Sequence, residues 1–482
     1  MSENSFLWHD FETFGADPRR DRPAQFAALR TDAELRPIED PMVIYCQPGD
    51  DVLPQPAACL ITGITPQEAL ERGLPEPAFA EQIHRAMSRA GTCTVGYNNF
   101  RFDDEVTRFL FWRNFYDPYA REYSNGNSRF DLIDLMRMTR ALRPDGLEWP
   151  KREDGTPSFR LEDLASANGM DTSRAHDALA DVEATLGMAQ RVREHQPRLW
   201  NWALSLRQKH RVGELLEPRT PLLHSTSRFP AAHCGTSVVL PLAPHPQFSG
   251  QWILWDLRHA PDEFEDLSVD DLADRLWVSS KDLPEGMNRL PVKLIRANRC
   301  PMLSPMSVMD DAAEARLAID RAALNRHEAA LNQRPDLINR IVSLFQPNRD
   351  GRSGMDNDPE QALYDGFVPR SDSSIYPRIR QASGEDLARL GSPFQDERLN
   401  TLLFRFRARH HREALDDEEL QRWQDYRRRR LLDDPDLASI TAAQFDAEIQ
   451  QRLDQASGDQ SEIDILNALI DWRQSMNLVD LG

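Results

Sequence analysis

"SFLWHDFETF", residues 5–14, decides the fold. Apolar side chains dominate this stretch, yet Asp10 and Glu12 stand one residue apart inside it. On a β-strand, residues i and i+2 point to the same face. The pattern therefore predicts a buried first strand with two carboxylates side by side. Two such acids repel each other and are costly to desolvate. A cation that both carboxylates share would offset that cost; an arginine partner or a turn-capping role is the alternative reading of the same pair.

Two further short runs, "MVIYCQP" (42–48) and "TCTVGYN" (92–98), are β-rich and bounded by Gly, Pro or Asn, so residues 1–197 read as α/β. "EPAFAEQIHRAMSRAG" (76–91) reads as a helix with Gly91 placed for its C-cap. "DDEVTRFLFWRNFY" (103–116) opens with acids and carries Val106, Phe109, Leu110 and Arg113 at helical spacing. Asp103 or Asp104 stands where loop becomes helix, a place that suits an N-cap as well as a metal ligand. In "SRAHDALADVEATL" (173–186), His176 and Asp181 are five residues apart, about 140° around a helix. The two converge only if His176 lies in the entering loop and Asp181 on the first turns, with Asp177 as the N-cap.

The rest of the chain changes character twice. Between about 198 and 351, "TSVVLPLAPHP", "GQWILWDLRHAP", "RLWVSSKDLP" and "RLPVKLIRANRCP" read as short strands of a small twisted sheet or barrel, followed by helices from about 309. "PNRDGRSGMDNDPE" (347–360) reads as a linker. Beyond it the sequence is helical and charged. The expected domains are residues 1–197, 198–351 and 352–482.

The 482 residues carry a formal net charge of −20 and are 40% hydrophobic, a soluble profile. No run approaches the roughly 18–20 apolar residues of a membrane span, and the N-terminus has no signal-peptide pattern, so a cytoplasmic location is expected. Five cysteines without a C-x-x-C pair argue against structural zinc or a disulfide framework. The charge argues against a nonspecific nucleic-acid coat. It leaves room for a polyanion gripped by local basic patches, such as "RFRARHHR" (405–412), together with a divalent metal. "RRRR" (427–430) reads as a solvated helix face.

Three acids and a histidine on separate elements suit one reaction. Hard oxygen ligands favour Mg²⁺ or Mn²⁺. Two such ions about 3.5–4 Å apart stabilise the attacking and leaving oxygens of a phosphoryl displacement. A histidine that is neutral near pH 7 takes the proton of the attacking water.

D-x-E on the first strand, an Asp after "YNNFRF" and H-x-x-x-x-D together resemble the DEDD exonuclease superfamily in its histidine-containing branch; "LITGIT" (60–65) resembles its loop near the terminal nucleotide. "HDFETFG", "DRPAQFAALRTD", "SFRLEDLASANG", "LPVKLIRANRCP" and "LLFRFRARHH" narrow the resemblance to the bacterial exodeoxyribonuclease I family, along nearly the whole chain. The resemblance implies a ribonuclease H-like exonuclease domain with a mixed sheet, an SH3-like β-barrel domain and a C-terminal all-helical domain. It implies Mg²⁺-dependent 3′→5′ removal of 5′-mononucleotides from single-stranded DNA, in DNA repair and recombination. Two ions are expected per site, with Mn²⁺ able to substitute.

Carried over by motif, Asp10, Glu12, Asp103 and Asp181 are the expected metal-binding acids and His176 the general base. Asp103 is taken over Asp104 because the family's acid aligns with the first. Glu12, Thr13 and Phe14 are expected beside the 3′-terminal nucleotide, and Arg160 on a phosphate, which suits its forked guanidinium. Arg108, Tyr119 and Tyr123 align along the strand path, where the tyrosines would stack on bases. Arg137 is expected to support the site, with a pair to Asp134 as its alternative. Arg143 and Arg316 align with positions that bind the acidic C-terminal tail of single-stranded DNA-binding protein. The resemblance implies a monomer. Rival readings are an exoribonuclease of the same superfamily and a non-catalytic module that binds single-stranded DNA or a partner.

Overall fold

The computed structural model describes residues 5–171, 176–279, 281–346, 358–455 and 459–477. They fall into two units: residues 1–128, 173–183 and 352–482 form one, and residues 129–172 and 184–351 the other. Most of the 347–360 linker expectation lies outside the described residues.

In the first unit, β1 (Ser5–Thr13) is the pivot of a mixed sheet. It pairs antiparallel with β2 (Pro23–Thr31) and parallel with β4 (Thr92–Gly96), and β2 pairs antiparallel with β3 (Met42–Tyr45). The β1–β4 register covers Ser5–Trp8 only. Among the described residues, β1 has no strand partner on its β4 side beyond Trp8, and the carboxylates begin there. Gly96 ends β4 because a Cβ would stand 2.7 Å from Asn99 Cβ and 3.1 Å from the His9 carbonyl oxygen. That close approach leads the chain into the loop before Asp103. β5 (Ser128–Asp131) lies at the division between the units.

β2 is buried at every position although its sequence, "PAQFAALRT", is alanine-rich and carries little strand propensity. Pairing on both edges makes it a strand. The helix over 76–91 ends earlier than expected: it spans Glu76–Met87, and Ser88 rather than Gly91 is the C-cap, its N–H bonded to the His84 carbonyl.

The C-terminal helices complete the first unit's core instead of packing only on themselves. Phe14, Tyr45, Leu53 and Ile64 share one apolar cluster with Phe445, Leu466, Leu469 and Trp472. Phe109, Trp112 and Phe115 share another with Ile379, Leu402 and Phe406.

Buried arginines lock these parts together. On the helix Glu397–His410, Arg405 forks onto Asp358 at 2.7 and 2.6 Å, and Arg407 onto Glu419 at 2.6 and 2.8 Å. Arg409 grips Asp51 at 3.1 and 2.8 Å and Glu360 at 2.6 Å. Three of the four arginines of "RFRARHHR", Arg405, Arg407 and Arg409, are therefore turned inward onto the protein's own acids, while Arg412 is exposed and pairs with Asp50. "RRRR" is divided too: Arg427 and Arg430 are buried, while Arg428 and Arg429 are exposed.

The second unit holds a five-stranded antiparallel sheet in the order β10-β6-β7-β8-β9, from β6 (Leu222–Ser225), β7 (Thr236–Pro244), β8 (Gln251–Asp256), β9 (Val292–Arg296) and β10 (Met302–Pro305). One expected strand is absent. "RLWVSSKDLP" begins as the end of a helix, Val269–Trp277, which starts at a Ser268–Asp271 capping box and buries Leu272 and Leu276. All five cysteines are buried and unbridged. Among the described residues, no helix is long and apolar enough to cross a membrane.

Candidate metal centre

Three carboxylates from distant parts of the chain meet in the first unit. One oxygen each from Asp10, Glu12 and Asp181 lies within 4.8 Å of the others. The strand periodicity holds for the first two, which flank Phe11 on β1. Asp181 stands in the first turn of the helix Ala178–His195.

Phe11 brings in the fourth acid. Its backbone N–H, beyond the β4 pairing, donates to Asp103 Oδ1 at 3.0 Å. Asp103 opens the helix Asp103–Arg113, but the N-cap is Phe102 and makes no side-chain cap bond. The capping alternative therefore does not describe Asp103. Asp104 is committed elsewhere, accepting from Arg121 Nη2 at 2.6 Å with both side chains fully buried. His9, whose ring lies beside those of Phe11 and Phe26, is buried, and burial followed by Arg121 pushes its imidazole down to about 3. It is a neutral core histidine.

The helix that carries Asp181 is anchored at its start. Asp177 Oδ1 accepts the Ala180 N–H at 3.1 Å, the N-cap bond expected from sequence. Gln25 then ties this helix to β2. Its Oε1 accepts the Ala178 N–H at 3.2 Å and its Nε2 donates to Tyr45 Oη at 2.9 Å. Gln25 stands directly opposite Glu12 in the β1–β2 register, so one buried amide sets the distance between β1 and Asp181. The sequence reading missed Gln25; the signal was a lone amide within the apolar run 23–29. His176 lies in the turn before the helix, exposed, with φ +67°. Five residues of separation from Asp181 are thus spanned by a left-handed turn residue, not by a helical face.

The electrostatics of these acids run in one direction. Burial, then Asp103, Glu12 and Asp181, holds the Asp10 carboxyl well above its ordinary value. Burial, then Asp181, Asp103 and Asp177, pushes Glu12 up to about 9. Hard oxygen donors under this mutual repulsion fit a divalent cation.

The sign of the resulting pH dependence follows. An acid whose folded pKa is raised binds its proton more tightly folded than unfolded. Metal-free stability therefore falls as pH rises from about 4, the unfolded value, toward 9. Glu12→Gln is expected to raise metal-free stability at pH 8 by on the order of 2 kcal/mol. Denaturant titration in EDTA reads this, and a decrease would contradict it.

The other expected contacts are placed unevenly. Phe14, expected beside the 3′-terminal nucleotide, has its ring 2% exposed inside the cluster shared with the C-terminal helices. Thr13 is buried and its hydroxyl donates to the Gly15 carbonyl at 2.6 Å. Arg108, expected along the strand path, is paired within the protein. It is buried, bonded to Glu122 at 2.8 and 3.0 Å and to Glu105 at 2.7 Å, and lies over the Tyr119 ring. Tyr119 is half-buried beneath it, whereas Tyr123 is 66% exposed.

In the second unit, Arg160 is exposed and precedes the helix Leu161–Ala167, with Glu162 at 3.6 Å. Arg137 is buried, bonded to Asp134 and stacked over Phe159, which is the alternative expected for it. Arg143 and Arg316 both bond to backbone carbonyls. Arg143 Nη2 donates to the Val308 carbonyl at 2.9 Å, and Arg316 Nη1 to the Ala141 carbonyl at 2.6 Å. They stitch the same two segments.

Three family descriptions match the chain in succession: Exonuclease over residues 7–188, Exonuclease I SH3-like domain over 207–347, and Exonuclease I C-terminal domain over 357–476. Exodeoxyribonuclease I of Escherichia coli (strain K12) is 42% identical over 479 residues, 99% of this chain and 98% of that protein. Exonuclease I from Methylocaldum szegediense has a similar structure, with a TM-score of 0.92 and 44% identity over 98% of this chain and 99% of its own. So does E. coli Exonuclease I in complex with a dA16 oligonucleotide, with a TM-score of 0.92 and 41% identity over 98% of this chain and 100% of its own. Identity at this level along almost every residue, with all three domain types in order, means that the chain belongs to the exodeoxyribonuclease I family.

Proposed function

We propose that this protein removes nucleotides from the 3′ end of single-stranded DNA and releases deoxynucleoside 5′-monophosphates. The observation that carries the reading is the convergence of Asp10, Glu12 and Asp181, with Asp103 pinned beside them by the Phe11 N–H. The oligonucleotide complex of the E. coli relative supports the substrate class.

Asp10, Glu12, Asp103 and Asp181 would hold Mg²⁺, which would supply charge stabilisation at the scissile phosphate and lower the pKa of a bound water. His176 takes the proton of the attacking water; its exposed place in the turn before Ala178 leaves the imidazole open to solvent and substrate. Gln25 and Asp177 act by position, holding the helix start that carries Asp181 against β1. Arg160, exposed and loosely paired, takes a phosphate of the strand, and Tyr123 stacks on a base. Glu12 and Thr13 border the terminal nucleotide. Arg108 and Arg137 serve by packing: the first holds Tyr119 and the Glu122 segment, the second holds Asp134.

Arg143 and Arg316, on two segments that they tie together, suit the acidic C-terminal tail of single-stranded DNA-binding protein. The protein acts as a monomer in the cytoplasm. The gaps between matched family segments, 189–206 and 348–356, support domain boundaries near 197 and 351.

Nucleotide release from matched single-stranded DNA, duplex DNA and RNA tests the substrate. Release from the single-stranded DNA alone is expected, and equal release from RNA would replace this reading with an exoribonuclease. Arg160→Ala is expected to raise KM for single-stranded DNA by about tenfold, with a smaller change in kcat. Steady-state kinetics would contradict the phosphate contact if KM did not move.

A further inference from the structure

Three consecutive acids, Asp103, Asp104 and Glu105, open the helix Asp103–Arg113. Successive residues of a helix point about 100° apart and rise about 1.5 Å. A rotation and shift of that size would carry Asp104 into the place that Asp103 holds beside β1. Acids anywhere in the first turn favour the helix, so the helix alone does not select which of them faces the metal centre. The N-cap, Phe102, makes no side-chain cap bond either. The rotation of this helix start has to be set from outside.

Each acid is met by a different group. The Phe11 N–H donates to Asp103 Oδ1 at 3.0 Å, Arg121 Nη2 to Asp104 Oδ1 at 2.6 Å, and Arg108 Nη1 to Glu105 Oε1 at 2.7 Å. The second contact lies deepest, with both side chains fully buried. The other arm of the Arg121 fork, Nη1, donates to Thr94 Oγ1 at 3.3 Å, on β4. Thr94 stands opposite Leu7 of β1 in the parallel register. One guanidinium thus holds the helix start to the strand beside the one that carries Asp10 and Glu12. The Asp104 N–H, bonded to the Asn99 carbonyl at 2.9 Å, ties the same residue to the loop after β4.

The segment that carries Arg121 grips the helix a second time. Arg121 lies in the 3₁₀ turn Ala120–Glu122, and Glu122 accepts from Arg108 at 2.8 and 3.0 Å. Asp104 and Arg108 are four residues apart, on one face of the helix. Two grips on one face fix its rotation as well as its position. Stability does not account for the deeper grip. A fully buried ion pair is often no more stabilising than apolar side chains of the same volume, and buried charges serve in some proteins to fix one register against another.

We propose that Arg121 is a positioning residue for the metal centre: by holding Asp104 to β4 it sets the rotation of the helix start, so that Asp103 and not Asp104 faces the cation. The inference rests on the metal centre proposed above. Arg121 acts through Asp104 and Thr94, since its own side chain has no exposed surface.

The test replaces the pair by apolar groups, Asp104→Leu together with Arg121→Met, so that no charge is left unpaired. Mn²⁺ binding to the full chain without DNA, read by electron paramagnetic resonance, is expected to weaken about tenfold or more. The melting temperature in EDTA is expected to stay at the parent's value, and kcat for nucleotide release to fall about tenfold while KM for single-stranded DNA holds. Arg121→Lys keeps a charge beside Asp104 and loses the fork to Thr94, so an intermediate Mn²⁺ affinity is expected; this variant decides if the double variant does not fold. Mn²⁺ affinity equal to the parent's in a folded double variant, or in Arg121→Lys, would overturn the proposal. So would a raised KM with unchanged Mn²⁺ affinity, which would mean that the pair only places Tyr123. A parent that binds Mn²⁺ but releases no nucleotide would overturn the nuclease reading and leave this one standing, and a parent that binds none would overturn both.

Discussion

Asp181→Ala is expected to lower kcat for nucleotide release by on the order of 10³-fold or more, because it removes several kcal/mol of transition-state stabilisation. The same substitution is expected to leave the metal-free protein as stable as the parent or more so. Asp181 stands next to Asp10 and Glu12 and raises the pKa of both. Removing its charge relieves that repulsion. A favourable carboxylate at the helix N-terminus is lost in exchange, worth about 0.3–1 kcal/mol. Its side chain also makes no contribution to the Asp177 cap or the Gln25 bond, which use other atoms. The pairing of a large kinetic loss with no loss of stability separates a functional carboxylate from a structural one. Single-turnover kinetics and a melting curve in EDTA read both, and a variant with full activity would defeat the assignment.

Arg409→Ala is expected to do the reverse, costing about 3–5 kcal/mol of stability. Arg409 is buried, and so are its partners Asp51 and Glu360. Without it, two carboxylates remain in the interior facing only Arg22, Arg405 and Arg430 among the described residues. Arg409→Lys keeps the charge but loses the fork, so an intermediate loss is expected.

The same network makes the fold acid-sensitive. Burial acts upward on Asp51 and Glu360, but Arg409 and its neighbours outweigh it and hold both carboxyls below the usual range. Burial likewise acts upward on Glu76, and Arg113 with Arg22 brings it down to about 2. A depressed folded pKa contributes stability above the unfolded value near 4, lost as pH falls through the folded one. Acid unfolding between about pH 4 and pH 2 is expected, read by circular dichroism. Stability that stayed level to pH 2 would contradict the network's role.

The candidate site was legible because its signals are local. Alternation placed Asp10 and Glu12 on one face of β1, and the five-residue step from His176 to Asp181 required a turn before a helix. The choice between Asp103 and Asp104 was not legible. Adjacent acids look alike in sequence, and only the Phe11 N–H on one side and Arg121 on the other tell them apart.

Tertiary pairing hid β2, whose alanines become strand by hydrogen bonding on both edges. The arginines of "RFRARHHR" misled for a related reason. A basic run looks the same whether its partners are phosphates outside the protein or carboxylates brought from far along the chain. Asp51 and Glu360 are 358 and 49 residues from Arg409 in sequence. Nothing local beside the D-x-E pair announces the C-terminal helices that cover the Phe14 ring.

The central claim is that the four carboxylates run a metal-dependent 3′ hydrolysis of single-stranded DNA. The most direct measurement follows a 5′-labelled single-stranded oligonucleotide with purified protein and Mg²⁺. The account predicts progressive shortening from the 3′ end with release of 5′-mononucleotides, stopped by EDTA and lost in Asp181→Ala. An oligonucleotide left intact in Mg²⁺, or shortened equally well in EDTA, would contradict it.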